Sequence, residues 1–90
     1  MSFQLQFIEA CKIGDFNTVK SLLVNENVNP IYDNNSAIRW ATYNGHYKVV
    51  KLLLEDKRIN PADYSNYAIQ LASRNGHYKI VKLFLFTTMR

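Results

Sequence analysis

The sequence Asn44-Gly45-His46-Tyr47-Lys48-Val49-Val50-Lys51-Leu52 occurs again, with one change, as Asn75-Gly76-His77-Tyr78-Lys79-Ile80-Val81-Lys82-Leu83. The two copies lie 31 positions apart, and the same offset aligns residues 29–54 with residues 60–85. A weaker copy lies another 31 residues earlier, around Gly14. A constant period of this length, without insertions, predicts a protein whose three repeated units stack side by side.

Each unit divides into a turn and two short helices. The polar segment 29–35 contains a proline and predicts a turn or hairpin. A first helix is expected from Ser36 to Asn44, with Ser36 as its N-cap and Gly45 as the residue that ends it. A second helix is expected over residues 46–55, because its apolar residues recur on one side.

A turn, a short helix, Asn-Gly-His and then Val-Val-Lys-Leu-Leu-Leu resemble the ankyrin repeat, from about residue 3 to residue 86. The first-helix motif of that family, Thr-Pro-Leu-His-x-Ala, is represented by residues 36–41 and 67–72, which lack the proline and the histidine. The period of 31 is shorter than the usual period of about 33. This short variant is similar in style to ankyrin arrays of large DNA viruses and amoeboid protists.

The resemblance implies a fold as well as a family. We expect an all-α, ankyrin-type helix-turn-helix solenoid of three stacked repeats, joined by short hairpin or turn connections. The chain of 90 residues is then one ankyrin repeat domain, residues 1–90, with repeats at approximately 1–28, 29–59 and 60–90.

The first and third units differ in the polarity of their surfaces. Polar or acidic side chains replace apolar or uncharged ones at four positions of the first unit, namely Gln6, Glu9, Asp15 and Ser21. Such changes suit a terminal repeat, so we expect an N-terminal cap and a native start at residue 1. The third unit remains apolar at Leu83, Phe86 and Met89. We therefore expect that end either to self-associate, giving a homo-oligomer, or to continue into further repeats.

Candidate catalytic and metal-binding side chains are few. His46 and His77 stand at equivalent helix starts, where an imidazole can bond to backbone, and a metal between them would need further ligands. Cys11 aligns with Thr42 and Ser73, which indicates a small packed residue and not a nucleophile. We expect no enzyme activity, no cofactor and no metal site.

The cellular setting follows from composition and from the N-terminus. A single cysteine excludes an intramolecular disulfide, and the first residues do not form a signal peptide. The apolar runs are far shorter than the ~20 residues that span a membrane. We expect no membrane span and an intracellular protein, cytoplasmic or nuclear, in a host cell if the source is viral.

The resemblance also implies a protein partner, bound by an adaptor or scaffold on the concave face that hairpin tips and first helices form. The residues expected on that face are Lys12, Tyr32, Asp33, Tyr43, Asn44, Asp63, Tyr64, Arg74 and Asn75. Tyrosine and arginine dominate interface energetics, which favours this surface. Trp40 could lie at the edge of this face, but it aligns with Leu71, and we interpret it as a core residue.

A row of lysines gives an alternative binding surface. Five lysines align at the repeat period on the second helices, namely Lys20, Lys48, Lys51, Lys79 and Lys82. With the net charge of +4, this row could attract an acidic protein or a nucleic acid. Nucleic acid is the weaker hypothesis, because the row has no interleaved aromatic residues.

Overall fold

The computed structural model of the protein describes residues 2–63 and 65–88, with the backbone alone at positions 63, 65, 66 and 88. The described α-helices are, in chain order, α1 (Phe3–Ile13), α2 (Phe16–Leu23), α3 (Tyr32–Tyr43), α4 (Tyr47–Glu55), α5 (Ser65–Arg74) and α6 (Tyr78–Thr88). A 3₁₀ turn, Pro61–Asp63, precedes α5. This part of the chain contains no strand, and none of its helices is both long and apolar enough to cross a bilayer. The prediction of an all-α repeat fold is confirmed.

The glycine between the two helices of each unit ends the first helix, as predicted. Gly45 has a φ of 77°, in the left-handed region that glycine enters without steric cost. The predicted N-cap of α3 is wrong. The hydroxyl of Ser36 instead donates to the carbonyl oxygen of Tyr32 at 3.5 Å, and Ile31, at the N-cap position of α3, makes no side-chain cap bond.

The N-terminal turn of α3 is left-handed. Asp33, Asn34 and Asn35 have φ values of 56°, 55° and 58°, so the chain makes one left-handed turn before the right-handed part of α3 begins. Asn and Asp tolerate this region better than other residues with a Cβ, because their short side chains can bond to nearby backbone. The sequence indicates a turn here through its polarity, but not its handedness.

The helix pairs stack in sequence to make one core. The first helices α1, α3 and α5 contact one another in that order, and so do the second helices α2, α4 and α6. Alanines occupy the crowded contact between first helices, where Ala10, Ala41 and Ala72 are buried. Larger apolar side chains such as Phe7 and Leu53 are completely buried in the same core cluster.

A charged pair braces the second unit against the first. The guanidinium of Arg58 donates to both carboxylate oxygens of Asp56, at 2.9 and 2.7 Å. It also donates to the carbonyl oxygen of Leu23 at 3.0 Å and to that of Val28 at 3.4 Å. Because Arg58 holds the carboxylate in its charged form, the pKa of Asp56 lies below its usual value.

Candidate functional site

A cleft of about 350 Å³ lies on the side of the stack that the first helices form. Its lining comes from α3 and α5 and consists of Arg39, Trp40, Tyr43, Tyr67 and Leu71. Three of these residues carry aromatic rings, and all three rings are substantially exposed. The cleft is therefore a solvent-exposed apolar surface with one cation, Arg39, in its lining.

The aromatic rings are held in a defined arrangement. Trp40 and Tyr43 lie one helical turn apart on α3, and their rings meet edge to face with centroids 6.2 Å apart. The ammonium of Lys12, at the end of α1, lies 4.5 Å from the centroid of the Trp40 ring. This distance is within the range of a cation–π interaction, which links the first unit to the second at this surface.

Trp40 lies at the surface and not in the core. It is 39% exposed and lines the cleft, so its interpretation as a core residue is wrong. Leu71, at the equivalent position of the third unit, is half-buried and lines the same cleft. Sequence reasoning also missed Arg39 and Tyr67 as lining residues. The signal available in the sequence was the presence of aromatic residues at helical positions outside the core. The alignment of Trp40 with Leu71 hid this signal, because a leucine suggests a core position.

Seven of the nine residues predicted for the concave face can be placed. They are all exposed, namely Lys12, Tyr32, Asp33, Tyr43, Asn44, Arg74 and Asn75. The structure brings Lys12 and Tyr43 together around Trp40, whereas Asp33 lies in the left-handed turn and Tyr32 directly precedes that turn. The side chain of Asp63 and the whole of Tyr64 lie outside the described residues.

Asn44 and Asn75 make bonds between repeats. The amide of Asn44 donates to the carbonyl oxygen of Lys12 at 3.0 Å, and the Nε2 atom of His46 lies 2.9 Å from the same oxygen. One unit later, Asn75 and His77 hold the carbonyl oxygen of Tyr43 in the same way, at 3.2 and 3.1 Å. The expected bonding of each histidine to backbone is confirmed, and its partner is the preceding unit.

The remaining candidate residues are distributed over other surfaces. All five lysines of the alternative surface are exposed. Leu83 is half-buried and packs against the core, Phe86 is 78% exposed, and Met89 lies outside the described residues. Burial raises the pKa of the Cys11 thiol to about 12, which leaves it protonated and unreactive at neutral pH. In the described part of the chain, no three His, Cys, Asp or Glu residues come together as a metal site would require.

Comparison with known proteins agrees with this architecture. A family model described as ankyrin repeats (3 copies) matches residues 7–89, which is nearly the whole chain. Comparisons with curated proteins and with solved structures gave no match. Since the match spans all three helix pairs, the chain belongs to the ankyrin repeat family.

Proposed function

We propose that this protein binds a segment of a partner protein in the cleft between α3 and α5, as an adaptor or scaffold. Ankyrin repeats are in general protein–protein interaction modules. The observation that carries the finer proposal is the exposed cluster of Trp40, Tyr43 and Tyr67, set against Leu71 in one cleft. Exposed aromatic rings that share a concavity are the usual anchors of an interface.

The charges around the cleft indicate the chemistry of the partner segment. Lys12 lies over Trp40, and Arg39 lines the cleft. An apolar side chain of the partner would cover the rings, while neighbouring carboxylates would meet these cations. The partner segment is therefore acidic and carries an aromatic or long aliphatic residue.

The chain supplies its own reporter for this binding, because Trp40 is the one tryptophan in the sequence. A random peptide library is selected on the immobilised full chain, and enriched peptides are titrated while tryptophan emission is followed. We expect the emission to shift on binding, and Tyr43→Ala to weaken affinity by at least about tenfold, as loss of an interface anchor does. Lys79→Ala, on the outer side of α6, is the matched control and should leave affinity unchanged.

The lysine surface is the competing candidate, since its five ammonium groups are all exposed. Binding there would fall steeply with salt, because it depends on the release of counterions or on screened charge. Peptides that bind Tyr43→Ala as tightly as the natural chain, but lose affinity in high salt and with Lys79→Ala, would place the site on the lysines. Self-association through the third unit is a separate alternative, which sedimentation of the free chain measures.

A further inference from the structure

The lysine surface is a continuous cationic layer on the second helices. Within α2, α4 and α6 there are five lysines, no arginine and a single acidic residue, Glu55. All five lysines are exposed. Because the three helices contact one another in order, equivalent positions line up across the units, as Lys20, Lys51 and Lys82 do.

The same surface carries the most exposed apolar side chains of the described chain. Val24, Phe86 and Tyr78 are 84%, 78% and 69% exposed, more than any other large apolar residue that the structure describes. Tyr78, Lys82 and Phe86 follow one another at intervals of four residues, which places them on the same side of α6. Val24 directly follows α2, one helical turn after Lys20. Apolar side chains therefore flank the lysines on both outer helices of the layer.

These exposures belong to the outer side of the stack and not to the third unit alone. Val24 and Phe86 are equivalent positions, two units apart. The second unit stacks against α2 through α4, and Val24 is nevertheless the more exposed of the two. Leu85 behaves differently, because it is 45% exposed whereas the equivalent Leu23 is 9% exposed. Stacking thus covers the position of Leu85 and leaves that of Phe86 accessible.

We propose that the lysine surface binds the surface of an anionic phospholipid bilayer, with Val24 and Phe86 entering the boundary between headgroups and acyl chains. Each lysine close to such a bilayer is attracted by the anionic headgroups. An apolar side chain that reaches the acyl boundary leaves water, and a tyrosine such as Tyr78 favours the level of the headgroups. Exposed cations beside exposed apolar side chains are the combination that a peripheral membrane-binding surface requires.

A nucleic acid fits this surface less well. Arginine is favoured where phosphates are recognised, because its guanidinium binds two oxygens at once, and α2, α4 and α6 contain none. No aromatic ring interrupts the rows of equivalent lysines, and the two rings that flank Lys82 both lie on α6. Val24 offers no ring on which a base could stack. A bilayer, in contrast, accommodates an aliphatic and an aromatic side chain equally.

The proposed orientation leaves the cleft around Trp40 accessible. The cleft is lined by the first helices, whereas the lysine surface lies on the second helices. Membrane binding therefore does not depend on the binding of a peptide in the cleft, and either proposal can fail without the other. Glu55 is the unfavourable group of the surface, since it is exposed at the position equivalent to Val24 and Phe86 and would be repelled by anionic lipid.

Cosedimentation of the full chain with vesicles tests the proposal. We expect binding to vesicles of equimolar phosphatidylcholine and phosphatidylserine, and none to phosphatidylcholine alone. Lys82→Gln should weaken binding about fivefold, since a lysine near an anionic surface contributes about 1 kcal/mol. Glu55→Lys should strengthen binding by at least about the same factor. Lys82→Arg, which keeps the charge, is the matched control and should bind as the natural chain does.

A tryptophan introduced by Phe86→Trp, in a Trp40→Phe background, reports which side chain enters the bilayer. Its emission should shift to the blue with anionic vesicles and be quenched by lipids brominated in their acyl chains. Native Trp40, on the side of the first helices, should show neither effect. The proposal is overturned if phosphatidylserine does not increase binding, or if Trp40 is quenched and the tryptophan at position 86 is not. It is also overturned if a single-stranded oligonucleotide binds more tightly than the anionic vesicles and loses affinity with Lys82→Gln, because the surface would then serve nucleic acid.

Discussion

The joint between the second and third units differs in accessibility from the exposed side of the third unit, its C-terminal face, which consists of Ile69, Ser73, Gly76, Val81 and Leu85. Gly45 at the joint and Gly76 at the C-terminal face are equivalent glycines, and each is accompanied by an equivalent carbonyl oxygen. At the joint, His77 lies over Gly45 and, with Asn75, holds the Tyr43 carbonyl oxygen. At the C-terminal face, Gly76 is uncovered. At each joint, a glycine and a carbonyl oxygen of one unit form a receptor half, and an asparagine and a histidine of the next unit form the donor half that covers it. The difference teaches that the receptor half is covered only where a unit with these donors stacks against it.

The first unit shows the reverse of the third, because its receptor half is covered and its donor half is absent. Its receptor half, Gly14 and the Lys12 carbonyl oxygen, is filled by His46 and Asn44. Its donor half is missing, because Ile13 and Asp15 stand where Asn and His would be. Asp15 instead accepts bonds from the backbone and hydroxyl of Thr18, which caps α2. The stack is thus directional: donors are missing at the N-terminal end, and the receptor is uncovered at the other end.

The largest difference should appear in thiol reactivity. Cys11 and Ser73 are equivalent positions, one covered by the second unit and the other on the C-terminal face. Burial raises the pKa of Cys11 to about 12, whereas an exposed thiol titrates near about 8.5. At pH 8 the thiolate fractions then differ about a thousandfold. We expect a cysteine placed by Ser73→Cys, in a Cys11→Ser background, to react with iodoacetamide at least about a hundred times faster than native Cys11, because the greater nucleophilicity of a high-pKa thiolate offsets only part of the difference in thiolate fraction.

The control for this comparison is denaturation. In urea the two thiols should react at similar rates, because both are then solvated. Equal rates in the folded proteins would mean that Ser73 is covered, or that the first joint opens readily, and either finding would remove the contrast between joint and face.

The sequence was sufficient to predict much of the fold. The period of 31 aligns the glycines, the buried alanines and the apolar second helices, and each has the expected place. Repetition makes this possible, because each position is observed two or three times and chance matches average out. The left-handed turn at 33–35 could not be predicted in the same way, because the aligned third-unit segment has a different sequence.

The candidate site was only partly predictable, for a physical reason. Whether Trp40 is core or surface depends on how far α5 lies from α3, and alignment with Leu71 does not report that distance. The exposures of Leu83 and Phe86 were likewise ambiguous, because an apolar residue at a chain end can face the core, a neighbour or solvent. The structure separates these cases by comparison with equivalent positions such as Val24.

A smaller effect, but a more specific one, is expected from alanine at the interhelix glycines. Gly76→Ala should destabilise the chain by about 1–2 kcal/mol, the cost of a left-handed conformation for a residue with a Cβ. Gly45→Ala should cost about 1–2 kcal/mol more, because its Cβ also displaces the His77 ring and weakens its bond to Tyr43. Urea unfolding monitored by circular dichroism measures both values.

A double-mutant cycle isolates the joint from the backbone strain. Combining Gly45→Ala with His77→Ala removes the ring that the new Cβ would meet, so the excess over Gly76→Ala should disappear. If the excess persists without His77, the cost at Gly45 comes from backbone strain alone, and the difference between joint and face is then smaller than the geometry indicates.

The smallest effect concerns the ion pair between Asp56 and Arg58 at the first joint. Asp56 and Arg58 link the second unit to the first, whereas the aligned positions of the third unit are Thr87 and Met89. Asp56→Asn should lower the free energy of unfolding by about 1 kcal/mol at pH 7, less than is usual for charged hydrogen bonds, because Arg58 is partly solvated. Glu55→Gln, at an exposed neighbouring carboxylate, is the matched control and should have almost no effect.

The pH dependence distinguishes a charged brace from simple packing. The pKa of Asp56 is lowered in the folded state by its bonds to Arg58, so its contribution is complete above the ordinary aspartate pKa of about 3.9 and is lost as pH falls through the lower folded value. The difference between Asp56→Asn and the natural chain should therefore be constant near neutrality and vanish in acid. A difference that persists at pH 2 would show that the side chain acts through shape and not through charge, and that the first joint is held by stacking and the Asn-Gly-His bonds alone.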